Sequence, residues 1–208
     1  ENFIIFGAIV YSDQIAKKIL KVIDGKIDMI LVDIEKKIQA KNKTNGIVNI
    51  ERSAKDVVKK SKLYIYKAND LAVSAAETLL SNLFLKDKRG LGGKKILIIG
   101  VGNIGFKLAL KFVESGSKIF ICSKKGNFLK NFSTVINKIK PMATVSKVKS
   151  LPYMPKDFRS FDIIISSANK KNIIKKNNVK NVNKKNIFID VGKGNFDKSA
   201  ITTLSKKN

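Results

Sequence analysis

The residues with the clearest capacity for chemistry are glycines. Gly100-Val101-Gly102-Asn103-Ile104-Gly105 closes the apolar run Ile96-Leu97-Ile98-Ile99 and opens a segment in which Leu108, Ala109, Phe112 and Val113 recur at helical spacing. At such a strand-to-helix junction the first glycine permits a tight turn and the second lets the backbone approach a pyrophosphate. The third allows the helix to pack closely on the strand. The free N–H groups at the helix start favour a phosphate as well. Gly100, Gly102, Asn103, Ile104 and Gly105 are therefore the expected dinucleotide-binding residues. A bare GxGxxG is a weak signal, but here a strand precedes it, an amphipathic helix with Gly116 near its end follows, and a second apolar strand comes next. The competing explanation is a glycine turn in an α/β protein that binds nothing.

The second strand ends in Phe120-Ile121-Cys122-Ser123-Lys124-Lys125, about twenty residues beyond the motif, where an NAD site places an acidic residue on the ribose hydroxyls. No Asp or Glu stands there. Ser123, Lys124 and Lys125 instead offer a hydroxyl and positive charge to a 2′-phosphate, so NADP is expected ahead of NAD. Adjacent lysines also arise by composition in so Lys-rich a chain, which leaves NAD as the alternative. Two later loops, Ser166-Ser167-Ala168-Asn169 and Gly192-Lys193-Gly194-Asn195, follow apolar strands and should face the same ligand. The small residues Ser166, Ser167, Ala168 and Gly192 would let a nicotinamide ring lie close to the backbone, although ordinary turn chemistry explains each equally well.

These residues need elements to hold them. The expected strands are 3–10, 27–34, 63–66, 95–99, 118–122, 143–148, 162–165 and 186–191, and the expected helices are 13–23, 53–60, 70–85, 104–115 and 128–139. Residues 36–46 read as a polar loop, and 169–185 as an exposed, irregular helix-loop rich in Lys and Asn. Alternation of strand and helix predicts an α/β fold: a doubly wound parallel sheet of Rossmann type over 86–208. A smaller, incomplete α/β domain over 1–85 precedes it and ends in a linking helix.

Composition narrows the function classes. At 208 residues and 44% hydrophobic, the chain can bury a core and is not a disordered polypeptide. No apolar run approaches the length of a membrane span, and the first residues lack the basic start and cleavage pattern of a signal peptide, so cytoplasm is the default compartment and no membrane partner is expected. The chain begins with Glu1 and is read as a fragment with residues missing upstream. The single Cys122 excludes an internal disulfide, and without His the usual zinc sites have no ligands, so no metal is expected. The net charge of +26 invites a nucleic-acid reading, but among 42 basic residues only Arg52, Arg89 and Arg159 are arginines. Arg does most bidentate phosphate and base recognition. Lys, Asn and Ile share A- and T-rich codons, so genome composition accounts for the charge, and nucleic acid is not the expected partner. A small-molecule substrate is, and assembly into a homo-oligomer is compatible with this class.

The block from Tyr64 to Lys125 resembles the amino-acid-dehydrogenase-like superfamily, which includes shikimate dehydrogenase, glutamyl-tRNA reductase and the methylene-tetrahydromethanopterin and methylene-tetrahydrofolate dehydrogenases. Asn69-Asp70 opens a long helix of small residues, Ala72, Ser74, Ala75 and Ala76, then Gly92-Gly93-Lys94-Lys95 leads into the glycine-bearing strand. The small-residue helix and Gly-Lys-Lys link look most like the methylene-tetrahydromethanopterin dehydrogenases. The resemblance implies an NAD(P)-dependent oxidoreductase with an N-terminal substrate domain and a cleft between two domains. It also implies a catalytic Lys and Asp: Asp70 stands in a comparable place, although the Asn-Thr-Asp-Gly motif of shikimate dehydrogenase is incomplete here, and Lys67 is near in sequence but not in the family's arrangement. A helix N-cap is the plainer role for Asn69 and Asp70.

Alcohol or carbonyl redox chemistry needs a proton donor beside the hydride step. With no His, Lys67, Asp70, Tyr64 and Tyr66 are what remains near the linking helix. Hydride transfer to a pterin-bound one-carbon unit needs no such proton, because nitrogen stabilises the cation, so the missing His favours that substrate. A shikimate- or amino-acid-type dehydrogenase using Lys67 and Asp70 is the alternative, and a non-catalytic NAD(P)-sensing module is the third.

Overall fold

The computed structural model describes residues 4–35, 49–123 and 126–207. Contacts divide the chain into two compact units, Glu1–Leu71 and Ala72–Asn208.

In the first unit, α1 (Asp13–Ile23) begins where the Ser12 hydroxyl accepts the Ile15 N–H at 3.3 Å. β1 (Met29–Asp33) and β2 (Lys62–Tyr66) form a two-stranded parallel sheet with Met29 opposite Lys62 and Asp33 opposite Tyr66. One face is covered: Ile30 and Val32 pack with Leu20, Ala54 and Val58, while Met29, Leu31 and Tyr64 on the strands are exposed. α2 (Ile50–Val57) starts three residues before its expected position because the Asn49 side chain accepts the Arg52 N–H at 2.9 Å. It also stops early. The Asp24 carboxylate takes the amides of Lys59, Lys60 and Ser61 at 3.0, 2.9 and 2.9 Å and so turns the chain into β2.

The strand expected at 3–10 does not form over the described residues 4–10. An apolar run becomes a strand only where another backbone supplies the ladder. In the described sheet β1 pairs with β2 alone, and Ile4, Ile5 and Phe6 stay exposed. The polar loop expected at 36–46 lies outside the described residues.

The linking helix α3 (Ala68–Leu83) starts two residues before the expected position and crosses the division between the units. Then follow β3 (Lys95–Ile99), α4 (Asn103–Glu114), β4 (Lys118–Cys122), α5 (Gly126–Ile139), β5 (Val148–Ser150), β6 (Ile163–Ser166), α6 (Lys176–Val179), β7 (Ile187–Asp190) and α7 (Lys198–Ser205). The five strands lie in the order β5-β4-β3-β6-β7, all parallel. From β3 the chain steps outward through β4 to β5, then returns to β6 on the other side of β3. This is the doubly wound order, with its switch point at β3.

Both faces of the inner strands β3, β4 and β6 are buried, which is why these strands read as apolar runs. Ile96, Ile98, Ile119, Ile121, Ile163 and Ile165 pack against Val73, Leu80, Leu108, Phe112, Leu129 and Ile136 from the helices of one face. Leu97, Ile99 and Ile164 point the other way, into Phe158, Phe161, Val179 and Ala200. Each such side chain contributes about 1.5–3 kcal/mol of burial.

Beyond shifts of one or two residues, this unit differs from expectation at β5 and at α7. β5 begins at Val148 rather than at 143, because the Asn137 amide brackets Val148, accepting its N–H and donating to its carbonyl, both at 2.9 Å. The helix α7 was not anticipated. It is capped by Asp197, which accepts the Ala200 N–H at 2.7 Å, and it buries Ala200.

Candidate functional site

The three motif glycines stand in unlike surroundings. Gly100 follows β3 with φ +92°, a conformation L side chains rarely adopt, and a Cβ there would lie 2.6 Å from the backbone N and Cα of Ala168. A Cβ at Gly105 would collide with the Gly100 carbonyl oxygen. Gly102 differs from both: its φ is −93° and a Cβ would meet nothing within 4 Å. It is the N-cap residue of α4 but offers no side chain to the helix start. The first-turn amides at Asn103, Ile104 and Gly105 are thus left without a capping acceptor from that position. Gly102 and Asn103 are exposed, Ile104 is half-buried and Gly105 is buried.

On one side of this loop, at the end of β4, Ser123 lines a cavity of about 230 Å³ together with Val101, Phe128, Leu129 and Phe132. Phe132 packs between two other rings, 5.4 Å from Phe106 and 6.1 Å from Phe128 by centroid. Cys122, just before Ser123, is buried, and burial pushes its thiol up to about 12, so it stays protonated and acts as core. Lys124 and Lys125 lie outside the described residues.

On the other side, the ends of β6 and β7 interlock with the glycine loop. The Ser167 hydroxyl donates to the Gly100 carbonyl at 2.6 Å, and the Ser167 N–H donates to the Ile99 carbonyl at 2.8 Å. Ser166 is fully buried, and its hydroxyl donates to Asn195 Oδ1 at 2.5 Å. Gly192 donates its N–H to the Ser166 carbonyl at 3.0 Å, and a Cβ there would collide with Asn195 Oδ1. The structure therefore brings Gly100, Ser166, Ser167, Ala168 and Gly192 into one hydrogen-bonded cluster at the carboxyl edge of the sheet, with Gly105 packed against the Gly100 carbonyl. Asn195, with no exposed surface, joins this cluster and carries no expected role in the sequence. No pattern in the sequence distinguishes a buried turn asparagine from an exposed one.

Lys67 and Asp70 belong to the first unit. Lys67 is exposed, and its carbonyl accepts the N–H groups of Asp70 and Leu71, both at 3.1 Å. Asn69 and Asp70 are not the N-cap of α3 but lie within its first turn. The capping acceptor comes from elsewhere: Glu35 Oε2 takes the Asn69 N–H at 2.9 Å. Among the described residues, no group of three His, Cys, Asp or Glu side chains is placed to hold a metal ion, and no helix is long and apolar enough to cross a membrane.

Solved structures share this architecture. L-tryptophan dehydrogenase from Nostoc punctiforme superposes with a TM-score of 0.52 at 16% identity, covering 94% of this chain and 52% of its own. The A chain of dipicolinate synthase from Bacillus subtilis does so with a TM-score of 0.52 at 14% identity, covering 92% of this chain and 57% of its own. The chain thus spans little more than half the length of either, and at these identities the likeness is one of fold. No curated protein matches the sequence. The family model described as shikimate/quinate 5-dehydrogenase matches residues 82–203, from the end of α3 through the glycine loop and both interlocked loops to α7. That match takes in more than half of the chain and the whole parallel sheet, and by it the chain belongs to the shikimate/quinate 5-dehydrogenase family.

Proposed function

We propose that the chain is an NAD(P)-dependent dehydrogenase that moves a hydride to or from a small metabolite. One observation carries the reading. Gly100 and Gly105 are glycines because the protein's own backbone fills the space a Cβ would need, whereas nothing among the described residues requires a glycine at 102. A position kept free of a side chain, at the uncapped start of a twelve-residue helix, fits a pyrophosphate lying against the backbone. Gly100, Gly102, Asn103, Ile104 and Gly105 would hold that group. Ser166, Ser167, Ala168 and Gly192 would line the half of the ligand beyond it. When bound, a nicotinamide dinucleotide supplies the hydride or accepts it. The chain's own contribution is to bind and orient.

At the end of β4 no carboxylate stands to take the ribose hydroxyls, and Ser123 with Lys124 and Lys125 favours the 2′-phosphate of NADP. Replacing both lysines by Ala should weaken NADPH far more than NADH, by about 1.5–3 kcal/mol for each charge-assisted hydrogen bond lost. Equal losses would make the two lysines solvated surface.

Two substrate classes remain, each with a feature in its favour. Family membership favours a carbonyl or alcohol substrate; Lys67 and Asp70, which lie outside the matched residues 82–203, would then be the proton-handling pair. The absence of His favours a pterin-bound one-carbon unit, which needs no proton transfer. Lys67→Ala separates them: on a carbonyl substrate turnover should fall by on the order of 10²–10⁴ with nucleotide binding retained, and on the pterin the same change should mainly raise KM. A chain that binds NADPH and turns over neither class is a sensing module instead.

A further inference from the structure

Asn195 sits in a loop, yet its side chain is fully buried and every hydrogen-bonding position of its amide is used. Oδ1 accepts from the Ser166 hydroxyl at 2.5 Å and the Ala168 N–H at 3.1 Å. Nδ2 donates to the carbonyls of Ala168 at 2.9 Å and Lys170 at 2.7 Å. Its backbone is tied too: the N–H donates to Asp190 Oδ2 at 2.7 Å and the carbonyl accepts the Ile174 N–H at 2.9 Å. Next to it, Gly194 accepts the N–H of Asn172, a non-glycine residue held at φ 55°. One amide thus joins the chain leaving β6 to the turn leaving β7.

We propose that Asn195 is the positioning residue for the nicotinamide half of the bound dinucleotide. The assignment rests on the dinucleotide-binding reading above. The strand order places Ser123 and its cavity on one side of the glycine loop and residues 166–168 and 192 on the other. A dinucleotide laid across the switch point puts one half over each side. The ribose that would meet Ser123 belongs to the adenosine half, so the nicotinamide half falls to the loops of β6 and β7. Asn195 has no exposed atom with which to touch it. It acts through the Ser166 hydroxyl and the backbone of Ala168 and Lys170, which it fixes before any ligand arrives, so that the ordering cost is not met at binding. The chemistry of the position is specific: two carbonyls, one N–H and one hydroxyl need two donors and a twofold acceptor on a single short planar group, which is an asparagine amide.

The isostere tests this. Asn195→Asp keeps the shape and the acceptor but turns a carboxylate oxygen onto the carbonyls of Ala168 and Lys170. In the full chain it should weaken NADPH, read by nicotinamide fluorescence, by about tenfold or more, the equivalent of ~1.4 kcal/mol. ADP, which carries only the adenosine half, should bind the variant within about twofold of the unmutated chain by calorimetry. A packing role alone would leave the Asp variant binding NADPH as before, and a general collapse would weaken ADP equally; either result overturns the assignment. Should the variant fail to fold, hydrogen exchange on the unmutated chain decides: the amides of Ala168, Asn172 and Ile174 should exchange slowly before nucleotide is added and no more slowly with NADPH. Fast exchange in the free protein would mean that ligand, not Asn195, orders the loop. If the unmutated chain binds neither NADPH nor NADH, the dinucleotide reading fails and this assignment falls with it. If the chain binds but the Asp variant is unaffected, only this assignment falls.

Discussion

The two units bury their sheets differently. In Ala72–Asn208 five parallel strands are covered on both faces, and the loops at their carboxyl ends are held by one another: Ser167 on the Gly100 carbonyl, Asn195 on Ser166 and Ala168. In Glu1–Leu71 two strands are covered on one face by a core of five buried side chains, Leu20, Ile30, Val32, Ala54 and Val58, and the strand residues Met29, Leu31, Lys62 and Tyr64 facing away from it are exposed. Small residues can form a site in the first case because a deep core fixes the strand ends beneath them. In the second, Lys67 and Asp70 stand at the end of a sheet with little beneath it, and their placement depends on helix-cap contacts such as Glu35 to Asn69.

The largest expected effect tests that difference in core depth. Phe112→Ala removes a fully buried ring from the larger core and should cost about 3–5 kcal/mol, whereas Leu20→Ala in the thin core should cost nearer ~2 kcal/mol. The chain has no Trp and four Tyr, of which Tyr11, Tyr64 and Tyr66 lie in the first unit and Tyr153 in the second. Tyrosine fluorescence therefore follows chiefly the first unit, and far-UV circular dichroism chiefly the second. Phe112→Ala should move the dichroism transition and Leu20→Ala the fluorescence transition. If either change moves both equally, the two units unfold as one and the comparison fails.

The next effect sharpens the comparison inside the larger unit. Gly105→Ala drives a methyl into the Gly100 carbonyl and should destabilise by about 1–3 kcal/mol while removing nucleotide binding. Gly102→Ala places its methyl in open space and should leave the unfolding midpoint within about 0.5 kcal/mol of the parent. Gly102→Val should go further and abolish NADPH binding with the fold intact. An unchanged NADPH affinity in a folded Gly102→Val protein would remove the pyrophosphate from this loop.

The same contrast explains what was legible in the sequence. β3, β4 and β6 are readable because burial on both faces makes their side chains apolar, and the glycine motif is readable because its spacing reflects backbone sterics. The run at 3–10 looks as apolar as β3, but strand formation depends on a partner, which no local pattern encodes. The starts of α2 and β5 depend on single asparagines, Asn49 and Asn137, whose side-chain hydrogen bonds outweigh hydrophobic periodicity. Asn195 was illegible for the same reason. Its neighbours along the chain, Gly194 and Phe196, say nothing of the carbonyls of Ala168 and Lys170 it reaches. The glycines of the candidate site can be read from sequence, but the amide that ties its loops together cannot.

The smallest expected effect concerns acid. The Asp24 carboxylate is held below its ordinary value first by the N–H of Ser61, then by those of Lys59 and Lys60. A carboxylate whose pKa is lower in the folded than in the unfolded chain stabilises the fold above the unfolded value, about 3.9, and that contribution is lost as pH falls through the folded value. The tyrosine-detected midpoint of the first unit should therefore fall as pH drops below about 5, by a modest amount because Asp24 is only half-buried and solvent screens it. Asp24→Asn should lower that midpoint slightly at pH 7, leave it equal to the parent at the acid end, and flatten the dependence between. The second unit supplies the control. The Asn181 amide beside Asp157 and the Ser199 hydroxyl beside Asp197 lower those carboxylates as well, so the dichroism-detected transition should keep its acid slope in the Asp24→Asn protein. An unaltered slope in the tyrosine signal would show that the 59–61 turn is held by packing rather than by the Asp24 charge, and that the thin unit is less dependent on its caps than its sheet implies.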